Sequence, residues 1–515
     1  MGMVMDMVKG MVMVMSKHRA EPLLALTGVL LLVSTAAWGQ VTVTPRVTVT
    51  ETITDNVRLD THNLQSEQVT EITPGIRIKI AGSRLKTYFD LGLNKVVYAQ
   101  GTSPNRSQIQ NSLNTFGTFE AVDNWAFVEF SGTVSQQAVS ALGTQSASNT
   151  SVNANQAEVS NYRISPYLRG RLFHAADYEA RYSRTITRSD AVAASDVDSA
   201  DTSVKLSGNS AFRNLGWSTD ASRQTISYSE GRNTESDRFN FGLTYTLTPQ
   251  FNVSASAGRE ANNFTTLEKE SSSTHIVGLN WRPSELTRLS ATRIRRPFGD
   301  AHNVSFEHRS ALTVWRFTDS RDVTTTPSQT GFGSIGAVYD LLFSQFASIE
   351  PDPIARAALV DAYLQANGIA PSANVVSSFL SSALSLQRSQ NLSFSLLGKR
   401  STVTFVATRT ESNRLDTLAT SVDDLATSSK IRQQGFNINF SHRLTPDYSL
   451  GALWSQQKTS GDANTQDTRL RSANLNLTGR IGKRTTAVVG LRRVVFDGQA
   501  PYTENALTGN LNVQF

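Results

Sequence analysis

Residues 239–250 read FNFGLTYTLTPQ. Phe239, Phe241, Leu243, Tyr245 and Leu247 fall on every second position, with Asn240, Gly242, Thr244 and Thr246 between them. Successive side chains of a strand point to opposite faces, so this segment has one apolar and one polar face. Thr248-Pro249-Gln250 then ends it in a tight turn.

The same alternation extends through the chain. Val41, Val43, Val47 and Val49 alternate with Thr42, Thr44, Arg46 and Thr48; Ile76, Ile78 and Ile80 flank Arg77 and Lys79; Phe436, Ile438 and Phe440 alternate with Asn437, Asn439 and Ser441. Tight turns recur at Asp123-Asn124, His174 to Asp177, Pro283 to Leu286, Gly398 to Arg400, Thr445 to Asp447 and Gly482 to Arg484. Between them lie longer connections rich in Ser, Asn, Asp and Gly, over 139–158, 188–201, 229–236, 261–273, 411–429 and 457–467. Alternating short and long connections match an outer-membrane barrel, with short periplasmic turns and long external loops. Segments 279–293, 396–409 and 477–492 each repeat strand, tight turn, strand, a hairpin repeat without a fixed short period.

The composition agrees. The 515 residues are 39% hydrophobic and the mean hydropathy is −0.26, but a strand that offers only alternate side chains to lipid has the average hydropathy of a soluble protein. There is no cysteine, which excludes a lipid-anchoring cysteine, disulfides, thiolate metal sites and a cysteine nucleophile. The net charge of +6, from 49 basic and 43 acidic residues, is spread thinly and forms no block that would follow a nucleic-acid backbone.

The N-terminus reads as an export signal over 1–39: Lys17, His18 and Arg19 are basic, Leu23 to Val33 is an apolar core, and Ala37-Trp38-Gly39 is a cleavage site that leaves Gln40 first. Residues 1–14, mostly Met, Val and Gly, read as translation from a start assigned too early, with Met15 the expected start. The barrel then occupies 40–515. At its end, Leu507, Gly509, Leu511, Val513 and Phe515 share one face of the last strand. Leu511, Val513 and the terminal Phe515 form the expected handle for the barrel-assembly machinery, whose recognition is strand pairing with an exposed edge.

Counting segments predicts an all-β, transmembrane, antiparallel outer-membrane barrel of about 22 strands, within 18–24, since bacterial single-chain barrels have an even count. One region departs from it: a short helical insert over 331–384. Val338 to Phe346 is amphipathic, and Pro353 to Asn367 has Asp352 as N-cap and Gly368 at its end. By strand parity the insert lies on an external connection. It is expected to fold inward as a gate, with Leu342, Phe346, Leu359 and Tyr363 packed against one another and the inner wall.

Catalytic chemistry is not legible. The seven histidines offer no metal pair except His302 and His308, which on one strand face lie about 20 Å apart, too far to share an ion. No Gly-x-Ser-x-Gly elbow occurs. Asp190, Asp196, Asp198 and Asp201 cluster in one loop but lack the glycine turn and closing glutamate of a calcium loop. The reading is therefore of a protein that is not an enzyme and carries no metal or cofactor. Arg77 with Lys79, Arg169 with Arg171, and Arg293 with Arg295 put paired cations on one strand face. Charge facing lipid is costly, so these six are expected to face the lumen and to favour an anionic solute.

Several stretches resemble, as a set, the outer-membrane β-barrel family associated with the PEP-CTERM/exosortase system: Glu51 to Val57, Ile72 to Ile76, Ile164 to Arg169, Arg295 to Trp315, Asp322 to Ser328 and Leu396 to Thr404. The likeness runs over nearly all of 41–515. It implies the barrel fold and an association with exopolysaccharide biosynthesis, and it assigns no catalytic or binding residue. The expected partners are outer-membrane lipid, the barrel-assembly machinery, and exopolysaccharide with its periplasmic export components, without nucleic acid. A general solute porin and a structural or adhesive surface protein are the alternatives. The porin would conduct steadily at rest; the adhesin would lose matrix attachment when 139–158 or 188–201 is cut.

Overall fold

The computed structural model describes residues 39–101, 107–173, 175–191, 195–212, 214–324, 356–357, 359–360, 384–415, 423–462 and 467–515. The first half of the wall is β1 (Gly39–Thr54), β2 (Glu67–Gly82), β3 (Leu85–Tyr98), β4 (Ser107–Val122), β5 (Ala126–Ala138), β6 (Gln156–Leu172), β7 (Ala176–Ser189), β8 (Val197–Asn209), β9 (Leu215–Tyr228), β10 (Thr234–Thr248) and β11 (Phe251–Asn262). The second half is β12 (Glu270–Ser284), β13 (Thr287–Arg296), β14 (Gly299–Arg309), β15 (Thr313–Thr324), β16 (Ser385–Leu397), β17 (Ser401–Arg414), β18 (Lys430–Arg443), β19 (Tyr448–Ser460), β20 (Thr468–Gly482), β21 (Thr485–Asp497) and β22 (Tyr502–Gln514). A single helical turn, α1 (Asp424–Thr427), lies between β17 and β18.

Each strand pairs antiparallel with its neighbours in sequence, and β22 pairs with β1, so the 22-stranded sheet closes on itself. This is a transmembrane outer-membrane barrel. Among the described residues no helix is long and apolar enough to cross a membrane; the crossing is made by strands.

Even-to-odd connections have two to five residues, such as 249–250 and 483–484, and lie at the same end as both chain termini. That end is periplasmic, because short turns and paired termini belong there. The odd-to-even connections include the long ones, 139–155, 325–384 and 415–429. The asymmetry is not strict: 297–298 alone joins β13 to β14 on the external side.

The pleat sorts the residues as alternation demands. Phe239 to Leu247 expose every second side chain, Phe239 by 55%, while Asn240 between them is buried. Cross-strand aromatic pairs reinforce the outer face: Trp315 and Phe394 lie 4.3 Å apart by ring centroid, and Phe436 meets Trp454 edge-on at 5.2 Å. Such pairs contribute about 0.2–1 kcal/mol each.

The seam is the shortest register around the termini. β1 and β22 match over nine residue pairs, Arg46 with Gln514 to Thr54 with Ala506, whereas β1 and β2 match over sixteen. The Phe515 amide donates to the Pro45 carbonyl at the seam's periplasmic limit. Proline has no N–H to offer a neighbouring strand, so Pro45 suits the boundary where β1 begins to run unpaired on that side. Leu511, Val513 and Phe515 all lie on the outward face of β22, with Phe515 exposed at the rim.

The expected signal segment, apart from Gly39, lies outside the described residues, as do Leu342, Phe346 and Tyr363 of the insert. Within the insert, residues 356–357 and 359–360 are helical. Ala357 and Val360 are fully buried there, but Leu359 is exposed. Ala357 and Val360, three apart, share the buried side of this turn and Leu359 does not; the neighbours expected for Leu359 lie outside the described residues.

Candidate functional site

A barrel of 22 strands is roughly 40 Å across at about 4.8 Å per strand with the usual tilt, too wide for wall side chains to fill. Among the described residues, chain from the external loops reaches across the mouth. The principal element is the loop 139–155 between β5 and β6, which folds inward instead of projecting into solvent.

Its serines and asparagines build it from within, because their short polar side chains imitate backbone hydrogen bonding. Ser140 Oγ accepts from the amides of Leu142 and Gly143. Asn155 accepts from the Ser140 amide at 2.7 Å and donates to the carbonyls of Ser140 and Thr144. Gln145 donates to the Ser140 carbonyl, and Asn153 to that of Thr144.

The compact loop is tied to the wall on several sides. Tyr98 on β3 donates to the Thr150 carbonyl at 2.9 Å, and Tyr502 on β22 donates to that of Gln145 at 2.6 Å. The Val152 amide donates to the Val57 carbonyl in the loop 55–66. The farthest tie reaches α1: Ser140 Oγ donates to Asp424 Oδ1 at 2.7 Å, and the Ala141 amide to Oδ2 at 2.6 Å. Ala141, Leu425 and Ile431 form a small buried apolar cluster beneath it. β17 stands eleven strands from β6 in a ring of 22, so the loop and α1 meet from opposite walls.

Loop 55–66 fills the sector beside it. Leu59 packs on Val494, Phe496 and Tyr502, inward-facing residues at the external ends of β21 and β22. Its backbone is left-handed, φ 57°, a conformation that costs a non-glycine residue roughly 1–2 kcal/mol. Asn56 holds the loop by donating to the carbonyls of Asp60 and Thr503.

Burial holds the Asp424 carboxyl above the ordinary aspartate value of 3.8, outweighing the hydrogen bonds from Ser140 and Ala141 that act the other way. A carboxyl whose pKa is higher docked than free takes up a proton on docking. Its contribution is fully present below that ordinary value and is lost as pH rises through the raised one. A spin label at Ala147→Cys, unique in a chain without cysteine, is therefore expected to be less mobile at pH 4 than at pH 8. Asp424→Ala removes two hydrogen bonds, each worth about 1.5–3 kcal/mol with the carboxyl ionised and about 0.5–1.5 kcal/mol with it protonated, and should mobilise the label at every pH. Equal mobility in Asp424→Ala and the parent would show that this tie does not hold the loop.

Below the mouth the lumen wall has two characters. From β1 to β15 it carries charge, largely in pairs. Arg77 donates to Asp90 at 2.8 Å, and Arg46 pairs with the same carboxylate at 2.5 Å. Lys79 lies on the same inward face, 5.9 Å over the Tyr88 ring. Arg169 covers the Phe127 ring at 4.3 Å, and Arg171 meets Asp177 at 3.4 Å. The expected cations Arg77, Lys79, Arg169 and Arg171 thus point inward. Arg293 and Arg295 do not: register puts them in line with Val277 and His275 on the outward face, and Arg293 pairs with Asp300 at 2.5 Å. They lie at the external end of a ten-residue strand, above the apolar zone, where an outward charge costs little.

Two arginines of that strand face inward, exposed Arg288 at the periplasmic end and buried Arg296 at the external end. Arg296 is bound to buried Glu260 at 2.6 Å and also to Asp322. Arg181 pairs with Glu129 and Glu179, and Arg492 with Glu504. Matching the strand's alternation from Leu289 and Ala291 onward was the signal that would have separated Arg296 from its neighbours.

From β16 to β20 the wall is different. Its inward positions are Ser, Thr, Asn and Gln with a few apolar residues and glycines, and charge appears only at the ends, at Arg414 externally and Arg443 and Arg480 on the periplasmic side. Ser395, Thr404, Asn437, Thr459 and Thr478 are buried there. Among the described residues, both amide atoms of Asn437 and the hydroxyls of Thr408, Thr459 and Thr478 have no hydrogen-bond partner. Such groups are costly to leave unpaired.

No group of His, Asp or Glu among the described residues is arranged to hold a metal ion. Asp198 and Asp201 stand on opposite faces of β8, Asp198 outward against Arg184, so the aspartates of 190–201 do not converge. His302 contacts Asp319, and His308 contacts Thr287.

No family model matches the sequence, and no curated protein matches it. Among solved structures the chain is similar to the siderophore receptor PirA from Acinetobacter baumannii, at 7% identity and a TM-score of 0.47, over 92% of this chain and 80% of that one. It is similar to the FrpB iron transporter from Neisseria meningitidis at 8% identity and a TM-score of 0.47, over 92% and 81%. PirA from Pseudomonas aeruginosa gives 9% identity and a TM-score of 0.43, over 92% and 80%. These likenesses concern barrel architecture.

Proposed function

We propose that this barrel is a gated outer-membrane conduit that passes or handles exopolysaccharide during export, in a PEP-CTERM/exosortase-type system. The observation that carries the reading is the wall from β16 to β20. Five adjacent strands line the lumen with hydroxyls and amides and carry no inward charge between their ends. A polyhydroxy chain both donates and accepts hydrogen bonds, so it can satisfy such a surface without bringing charge. The loop that crosses the mouth, tied to α1 on the far wall, favours a gated conduit over a steadily conducting porin. The inward fold of 139–155 weighs against adhesion through that loop. The buried Ala357 and Val360 support an inward insert as the second part of the gate, and the resemblance read in the sequence supports the polysaccharide cargo.

Deleting the gene is the direct test. Surface polysaccharide is expected to fall and polymer to accumulate in the periplasm, measured by fractionation and sugar analysis. Unchanged surface polymer in the deletion strain would remove the export reading, and steady conductance of the purified protein in planar bilayers would favour the porin.

A further inference from the structure

A groove of about 730 Å³ crosses the outer wall from β18 to β22. Two rungs of the outward ladder make it. One runs Ile438, Trp454, Ala473, Arg493, Asn505; the next, toward the periplasm, runs Phe440, Ala452, Leu475, Leu491, Leu507. Ala473 and Ala452 form the floor because each sits beside a much larger neighbour, Trp454 and Leu475. The lower rung is wholly apolar, as a lipid-facing surface should be.

Arg493 stands at the groove's external end. The next rung outward runs Phe436, Gln456, Arg471, Val495, Thr503; three of these five are polar where the rung below Arg493 is wholly apolar, so polarity rises across Arg493, as it does toward lipid headgroups. Several outward cations have carboxylates, Arg184 with Asp198, Arg388 with Asp319, and Arg471 with Asp497; Arg493 differs from these three. Arg493 is exposed, and among the described residues it has no carboxylate within ion-pairing distance; it donates only to the Asn505 side-chain oxygen, at 3.3 Å. Asn505 is itself anchored by donating to Asp55, which turns its oxygen toward the guanidinium. A guanidinium beside an apolar slot, without an anion of its own, matches a phosphate bidentately.

We propose that this groove binds the phosphorylated, multiply acylated glycolipid of the external leaflet, lipid A, with an acyl chain over Ala452 and Ala473 and a phosphate on Arg493. External placement favours this lipid over a glycerophospholipid of the inner leaflet. The proposal stands independently of what passes through the lumen.

The test uses full-length protein in nanodiscs containing lipid A or phosphatidylglycerol, with retained lipid counted by native mass spectrometry. Wild type is expected to retain one lipid A in preference to phosphatidylglycerol. Arg493→Gln should weaken retention by about tenfold, the effect of one charge-assisted phosphate contact. Ala473→Phe fills the floor while leaving the arginine in place, and should weaken it as well. Both variants are outward substitutions away from the seam, and heat-modifiable gel mobility reports their folding. Retention of lipid A by Arg493→Gln equal to wild type, or a preference for phosphatidylglycerol, overturns the assignment.

Discussion

Excising residues 141–152 together with 333–382, each replaced by a short glycine–serine bridge, is expected to turn a silent barrel into one that conducts in large, steady steps. Neither cut touches a wall strand, since β5 ends at Ala138, β6 begins at Gln156, β15 ends at Thr324 and β16 begins at Ser385. The first removes the contacts that Tyr98, Tyr502 and Val57 make with the mouth loop, and the Ala141 part of the tie to Asp424. The second removes the segment to which buried Ala357 and Val360 belong. Barrels of 16 or more strands leave an aqueous channel when nothing fills them, so the double excision should give the largest conductance and sensitise cells to bulky antibiotics. Each single excision should open the pore in part. A doubly excised protein that reaches the outer membrane and stays silent would show that neither segment is the gate.

Breaking the Arg296–Glu260 pair is expected to cost about 3–5 kcal/mol, because removing one partner leaves an uncompensated buried charge. The two ends of the pair are not equivalent. Arg238 lies close enough to interact with both Glu260 and Arg296, and its Nε is buried without a hydrogen-bond partner among the described residues. Glu260→Ala therefore leaves two facing guanidinium groups with Asp322 as their near carboxylate. Arg296→Ala leaves Glu260 still beside Arg238. The glutamate variant should be the less stable of the two in urea titrations of the detergent-solubilised barrel. The double replacement Glu260→Leu with Arg296→Met should recover part of the loss. Equal, small effects of both single variants would mean that water reaches the pair.

Alternation at 239–247 and its many echoes made the barrel and its strand number legible, because a period of two follows from backbone geometry alone. It also oriented Arg77 and Lys79, whose neighbours Ile76, Ile78 and Ile80 declare the outward face. Arg293 and Arg295 were misplaced for a physical reason. Aversion of charge to lipid fixes a face only at mid-membrane, and height along a strand is set by strand length and shear, which alternation does not report. Ile294, inward among arginines, blurred the remaining cue. The mouth was illegible for another reason: a loop of serines and asparagines reads the same whether its groups bond to water or to one another. Its far tie to Asp424 joins residues 284 apart in sequence, with no local pattern to announce it.

The unequal registers of β1 give the ring a tear line. Sixteen residue pairs hold β1 to β2, but nine hold it to β22. Pulled apart or stripped of its membrane, the cylinder should unroll from there into a sheet, with the remaining hairpins still joined through their turns. The same line is where the chain's two ends meet at one rim, so a linker across it could move the break in the covalent chain elsewhere. A circular permutant opened at 249–250 would have covalent linkage where the natural ring has nine pairs and no connecting turn, and a new cut between β10 and β11, which match over twelve pairs.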